Sequence, residues 1–186
     1  MKKILLLLIM LSIIPCTVHA QSNRFFLNLG AGLSVPVAES AFSDLYNLGF
    51  NVHVAGGMNF TPVIAGRLDL QLNKFSRKDV LFGQSGSLTI TSLKADILAG
   101  DVSGFKSVNP YGIIGLGAYI LSASETNGTV TISDSETDLG IGLGGGVNFN
   151  LSPTVGIYTE IQYNLIFNEG AAKGYLPIKV GISLLP

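Results

Sequence analysis

Along residues 48–60, LGFNVHVAGGMNF, apolar and polar positions alternate one by one. Leu48, Phe50, Val52, Val54, Met58 and Phe60 share one parity, while Asn51, His53 and Asn59 take the other beside small residues. A helix cannot gather every second side chain on one face, whereas a strand does so through its pleat. The same split recurs in 24–35, where Phe25, Leu27, Leu29 and Leu33 oppose Asn28 and Ser34. In 64–73, Ile64, Leu68, Leu70 and Leu72 oppose Arg67, Asp69, Gln71 and Asn73. In 155–167, Ile157, Ile161, Tyr163 and Leu165 oppose Tyr158, Glu160, Gln162 and Asn164. In 175–184, Ile178, Val180 and Ile182 oppose Lys179, Gly181 and Ser183. Segment 87–99 alternates in its second half, with Lys94 and Asp96 opposite Leu93, Ala95 and Ile97, and segment 110–121 is apolar on both faces.

Segment 138–150, DLGIGLGGGVNFN, admits two readings. Gly140, Gly142 and Gly145 match the G-x-G-x-x-G spacing of a dinucleotide-binding turn. That turn needs a strand before it and a helix after it. Here the alternation runs straight through: Leu139, Ile141, Leu143, Val147 and Phe149 oppose Asp138, Gly140, Gly142, Gly144, Gly146 and Asn148. The segment reads as a strand, the sixth in chain order, with glycines on the inner side, where inward tyrosines (Tyr158, Tyr119) are expected to lie over the bare backbone.

Each segment meets the roughly 9–11 residues that a tilted strand needs to cross a bilayer. An even number of antiparallel strands closes without an edge. Thr61-Pro62-Val63 and Leu151-Ser152-Pro153-Thr154 read as tight turns, and 101–109 as a longer link at the same end. Connections near 36–47, 74–87, 122–137 and 168–174 read as outer loops, with Asn127-Gly128 as a turn. Phe25, Phe60 and Phe149 face outward at the turn end, as one interfacial girdle, and Tyr163 and Phe167 suit the other.

Composition agrees with crossing by strands. Charged residues make up 12% of the chain and mean hydropathy is +0.48, against about 25% charge in soluble domains. After the first 20 residues no run approaches the ~18 apolar residues of a membrane helix. Residues 1–20 read as a signal peptide: Lys2 and Lys3, the apolar stretch 4–14, and Val18-His19-Ala20 before the cut. A lipoprotein acylated at Cys16 is the rival reading, and Pro15 suits it badly. Residues 21–186 then form one barrel domain without cysteine. Of 11 Lys and Arg, losing Lys2 and Lys3 leaves 9 against 12 Asp and Glu, a net charge near −3, which argues against a nucleic-acid partner.

The remaining chemistry lies in the inward charges. Arg67 and Asp69 face in from strand 3, Lys94 and Asp96 from strand 4, and Glu160 and Lys179 from strands 7 and 8. Eight strands leave an interior just wide enough for side chains to fill, and buried charges must be paired. A structural ion-pair network is expected there, with an ion path as its rival. Opposed residues in an antiparallel pair have a constant sum of numbers. Arg67 with Asp96 and Asp69 with Lys94 share one sum, which also pairs Leu68 with Ala95 and Gln71 with Ser92, and places the loop apex at Leu81-Phe82. The phase puts His53 inside as a lumen polar contact, away from where a lipid-modifying catalytic histidine is wanted. Asp134, Glu136 and Asp138 read as a solvated acidic loop whose spacing is not that of a calcium loop. No catalytic residue, cofactor or metal site is expected.

On three stretches, NPYGIIGLGAYI (109–120), the glycine-rich strand 138–150 and the closing GYLPIKVGISLL (174–185), the chain resembles the small eight-stranded outer-membrane β-barrels, OmpA/OmpX-like and opacity-like members of the porin family. The resemblance implies an all-β, up-and-down transmembrane barrel in the outer membrane of a Gram-negative bacterium. It also implies lipid and lipopolysaccharide surroundings, and insertion by the barrel-assembly machinery through the last strand. Lys179, Gly181 and Leu184 fit that signal, while Leu185-Pro186 replaces the usual terminal aromatic. The function expected is a non-enzymatic structural or surface-interaction role through outer loops, its ligand left open; a small-solute channel and a lipid-A-modifying enzyme are the alternatives. The purified protein is expected to run differently on gels before and after boiling, because a closed barrel resists unfolding without heat. Recovery as a soluble periplasmic protein contradicts the barrel.

Overall fold

Within hydrocarbon no water is present to bond an exposed N–H or C=O, so a spanning sheet must close on itself. A computed structural model describes residues 25–38, 40–78, 84–102, 106–127, 130–168 and 172–185. The expected signal peptide, Cys16, the Leu81-Phe82 apex and Gly128 lie outside these residues.

Eight strands form one closed barrel in sequence order. They are β1 (Phe25–Ala38), β2 (Gly49–Thr61), β3 (Ile64–Ser76), β4 (Gln84–Gly100), β5 (Val108–Asn127), β6 (Val130–Asn150), β7 (Val155–Phe167) and β8 (Ala172–Leu184). Every neighbouring pair is antiparallel, and β1 pairs with β8 to close the ring. The β3–β4 register is the one that the charges require: Arg67 lies opposite Asp96, Asp69 opposite Lys94, Leu68 opposite Ala95 and Gln71 opposite Ser92.

Alternation in sequence becomes alternation of environment. Leu143, Leu139, Leu116 and Leu68 stand on the outer surface, with Leu143 64% exposed, while Asn51, Gln71, Asn73, Gln162 and Asn164 are buried inside. Phe25, Phe60 and Phe149 all face outward. On β5, whose sequence is apolar on both faces, Tyr111, Ile113, Tyr119 and Leu121 are the inner set and Ile114, Leu116 and Ile120 the outer.

The turns use side-chain caps. Thr61 Oγ1 accepts from Val63 N at 3.3 Å and Ile64 N at 3.0 Å, closing β2 to β3. Ser152 Oγ accepts from Thr154 N at 3.3 Å and Val155 N at 3.0 Å in the same way before β7. Gly100, at φ 154°, ends β4 where an added Cβ would collide with the Pro110 carbonyl oxygen.

Two expectations need correction, and one connection holds an element that the sequence reading did not give. Segment 122–137 is no loop: β5 and β6 continue pairing to Asn127↔Val130, so Asp134, Glu136 and Asp138 belong to a β-ribbon. The Ser and Thr residues of 122–127 and 130–137 pair as strands, which gains backbone bonds that a solvated loop lacks. The connection at 36–47 holds a short helix, α1 (Ser40–Leu45), whose Phe42 turns inward onto Phe75. Tyr158 does not lie over the glycine-rich strand but against Gly30 and Gly181, while Tyr119 covers Gly140 and Tyr111 covers Gly146. Side chains lean toward diagonal neighbours, so parity alone does not tell which strand a ring covers.

Because Leu143 faces lipid, Leu143→Arg is expected to destabilise the folded barrel by about 2–4 kcal/mol near the bilayer midplane. Leu143→Met is expected to be nearly neutral. Urea titration in phospholipid vesicles measures both, and equal effects contradict the phase.

Candidate functional site

The lumen is layered. Toward the turn end, Phe26, Ala65, Leu98, Tyr111 and Ile113 form an apolar cluster. Toward the other end, Phe75, Ile90, Tyr119, Leu121, Ile166 and Tyr175 form a second, which Phe42 of α1 caps. Between them the charged side chains form one connected network.

Glu160 is its centre. Its carboxylate accepts from Arg67 Nη1 at 2.5 Å and Nη2 at 3.0 Å, a bidentate pair reaching across the barrel from β3 to β7. Lys179 Nζ lies 3.0 Å from Glu160 Oε2, and the Tyr111 hydroxyl donates to Oε1 at 2.7 Å. Arg67 also donates through Nε to Asp96 Oδ2 at 3.0 Å. Asp69 Oδ2 receives Lys94 and Lys179, each at 3.3 Å. Lys94 Nζ donates to Gln162 Oε1 at 2.5 Å. All six charged side chains named from the sequence, Arg67, Asp69, Lys94, Asp96, Glu160 and Lys179, are drawn together, with side-chain exposures of 0%. Three cations meet three anions, so the interior is neutral. The backbone opposite leaves room: at Gly115 an added Cβ would collide with Asp96 Oδ1.

Three participants were not assigned to the network from sequence. His53 Nδ1 is 3.0 Å from Asp69 Oδ1, and its Nε2 is 2.5 Å from the Tyr158 hydroxyl. With a carboxylate at Nδ1 that nitrogen carries the proton, so Nε2 accepts from Tyr158. His53 is thus a lumen contact with both nitrogens engaged, and it does not reach lipid. Tyr111 and Tyr158 share inward parity with Glu160's layer, but the partners they meet are set by strand stagger. Among the described residues, no group of three or more His, Cys, Asp or Glu side chains is arranged to hold a metal ion.

Above the aromatic cluster lies a recess of about 340 Å³ at the loop end. Phe42, Tyr46, Leu88, Leu121 and Ala123 line its apolar side, and Asp134, Glu136 and Lys173 its polar side. Lys173 Nζ donates to Glu136 Oε1 at 2.7 Å, and Asn168 Nδ2 donates to Glu136 at 2.7 Å and to Asp138 at 2.9 Å. Half-burial holds the Tyr46 phenol above its ordinary range. Arg77 and Glu125 pair at the same end.

Glu160→Gln is expected to cost about 3–5 kcal/mol, since it leaves a cation uncompensated in a closed interior. The double change Arg67→Met with Glu160→Met removes one charge of each sign and is expected to recover part of that loss. Urea unfolding in vesicles compares the two, and a double variant as weak as the sum of its singles contradicts charge balance as the controlling factor.

The outer membrane protein beta-barrel domain pattern matches residues 4–181. Among solved structures, Neisserial surface protein A is similar over 86% of this chain and 96% of its own, at 18% identity and TM-score 0.62. A major outer membrane protein of Thermus thermophilus is similar over 89% and 100%, at 14% identity and TM-score 0.61. Ail, the attachment invasion locus protein of Yersinia pestis, solved with the heparin analogue sucrose octasulfate, is similar over 87% and 97%, at 13% identity and TM-score 0.53. At such identities the likeness is one of fold. No curated protein matches the sequence itself. Since the family pattern runs unbroken from before β1 into β8, the chain belongs to the outer-membrane β-barrel domain family.

Proposed function

We propose that this barrel is non-conducting and non-enzymatic, and that it acts through the surface it presents at its loop end. The observation that carries the reading is the lumen: Lys94, Lys179, Gln71 and Gln162, the side chains that would line a pore, are wholly buried and each is bonded to another lumen side chain. An ion entering there must displace a neutral, interlocked network and the apolar clusters above and below it. The enzyme alternative lacks a free base, because Asp69 and Tyr158 occupy both nitrogens of His53. Lipid and lipopolysaccharide surround the outer face in this reading, and the last strand carries the signal for the assembly machinery. Ail, an attachment protein by name, shares the fold, which is compatible with a surface role.

The test is electrical. Refolded protein inserted in a planar bilayer is expected to give no stepwise conductance. Reproducible ohmic steps that Lys94→Ala enlarges overturn the reading in favour of a small-solute channel.

A further inference from the structure

The recess at the loop end is a blind pocket. Its floor is the top of the aromatic cluster, so nothing passes from it into the lumen. Its volume of about 340 Å³ falls at the small end of the range of ligand sites, roughly 300–1,000 Å³. We propose that it binds an amphipathic organic cation, an amine carried on an aromatic or branched apolar body. This rests on the surface-acting reading above and names the ligand class for it.

The two sides of the pocket call for different parts of one molecule. Leu88, Leu121 and Ala123 of the strands and Phe42 of α1 offer only apolar surface, which an apolar body fills. The opposite wall is acidic. Lys173 compensates Glu136. Asp134 instead accepts the Ser135 N–H at 2.9 Å, and Asp138 accepts the neutral Asn168 amide at 2.9 Å. Among the described residues no cation forms an ion pair with either. Asp134 therefore leaves the lining net negative beside an apolar floor, with Asp138 further along the same strand. An amine satisfies the wall while its body covers the floor. A sulfated sugar such as the one bound to Ail meets like charge here, so that ligand does not transfer with the fold.

Three dansyl probes of similar body and different charge test this: dansylcadaverine (cation), dansylamide (neutral) and dansylglycine (anion). The refolded mature barrel is placed in zwitterionic phospholipid nanodiscs, and empty nanodiscs give the partitioning baseline. Fluorescence anisotropy is expected to show saturable binding of one dansylcadaverine per barrel, weaker binding of the neutral probe and least of the anion. Asp134→Asn keeps the acceptor for the Ser135 N–H and loses only charge. It is expected to weaken the cation about threefold, the scale of an exposed charge pair, and to leave the neutral probe unchanged. Ala123→Leu fills the floor and is expected to weaken both. Each variant is first shown to retain its heat-dependent gel shift. Equal binding of the three probes, no saturable signal above empty nanodiscs, or an Asp134→Asn variant with unchanged cation preference overturns the proposal. A barrel that stays silent in the bilayer and binds no probe loses this inference alone; one that conducts loses the surface-acting reading whatever it binds.

Discussion

Hydrocarbon supplies no hydrogen bonds, and the whole structure follows from that. The backbone must satisfy itself, so the sheet closes; the outer face must be apolar, so every second residue goes inward. The inward positions then inherit every polar residue in the spanning segments. Eight strands enclose too little volume to hydrate them. Charges that cannot be hydrated must cancel, and here Arg67, Lys94 and Lys179 meet Asp69, Asp96 and Glu160 with no side-chain exposure.

Cancellation brings mechanical consequences. The Arg67–Glu160 pair spans from β3 to β7, tying opposite walls that share no backbone bond. Lys179 bridges Asp69 and Glu160, so β8, the strand that closes the ring on β1, is held from inside as well as along its edge. Such a core is costly to disturb singly, because removing one partner strands the other in a dry interior. It is also a poor conduit, since a mobile ion needs partners that are not already committed.

Beyond the membrane the constraint lifts and the chain changes character. β4, β5 and β6 run on together past the end of β7 as a paired ribbon, and that ribbon carries Glu125, Asp134, Glu136 and Asp138. These acids face water and need no exact balance. Beside them α1 places Phe42 and Tyr46 over the aromatic end of the lumen. The apolar floor and acidic wall of the outer recess are therefore products of two regimes meeting: a lumen that must be packed, and a ribbon that need only be paired.

Period-two alternation was enough, from the sequence by itself, to determine the strands, the closure and the inward side of seven of them. The β3–β4 register was also legible, because opposite charges on adjacent strands admit one pairing that keeps both pairs inside. Pairing along a ladder is local, and local order is written in spacing. Which side chains meet across the lumen is decided by strand tilt and stagger, which no single segment encodes. Hence Arg67 with Glu160, His53 with Tyr158, and the covering of Gly30 by Tyr158 rather than of the glycine-rich strand appeared only in three dimensions. The outer recess was likewise hidden. It joins α1, β4, β5, β6 and β8, and its ribbon wall resembled a loop because polar strands outside the membrane have no greasy face to mark them.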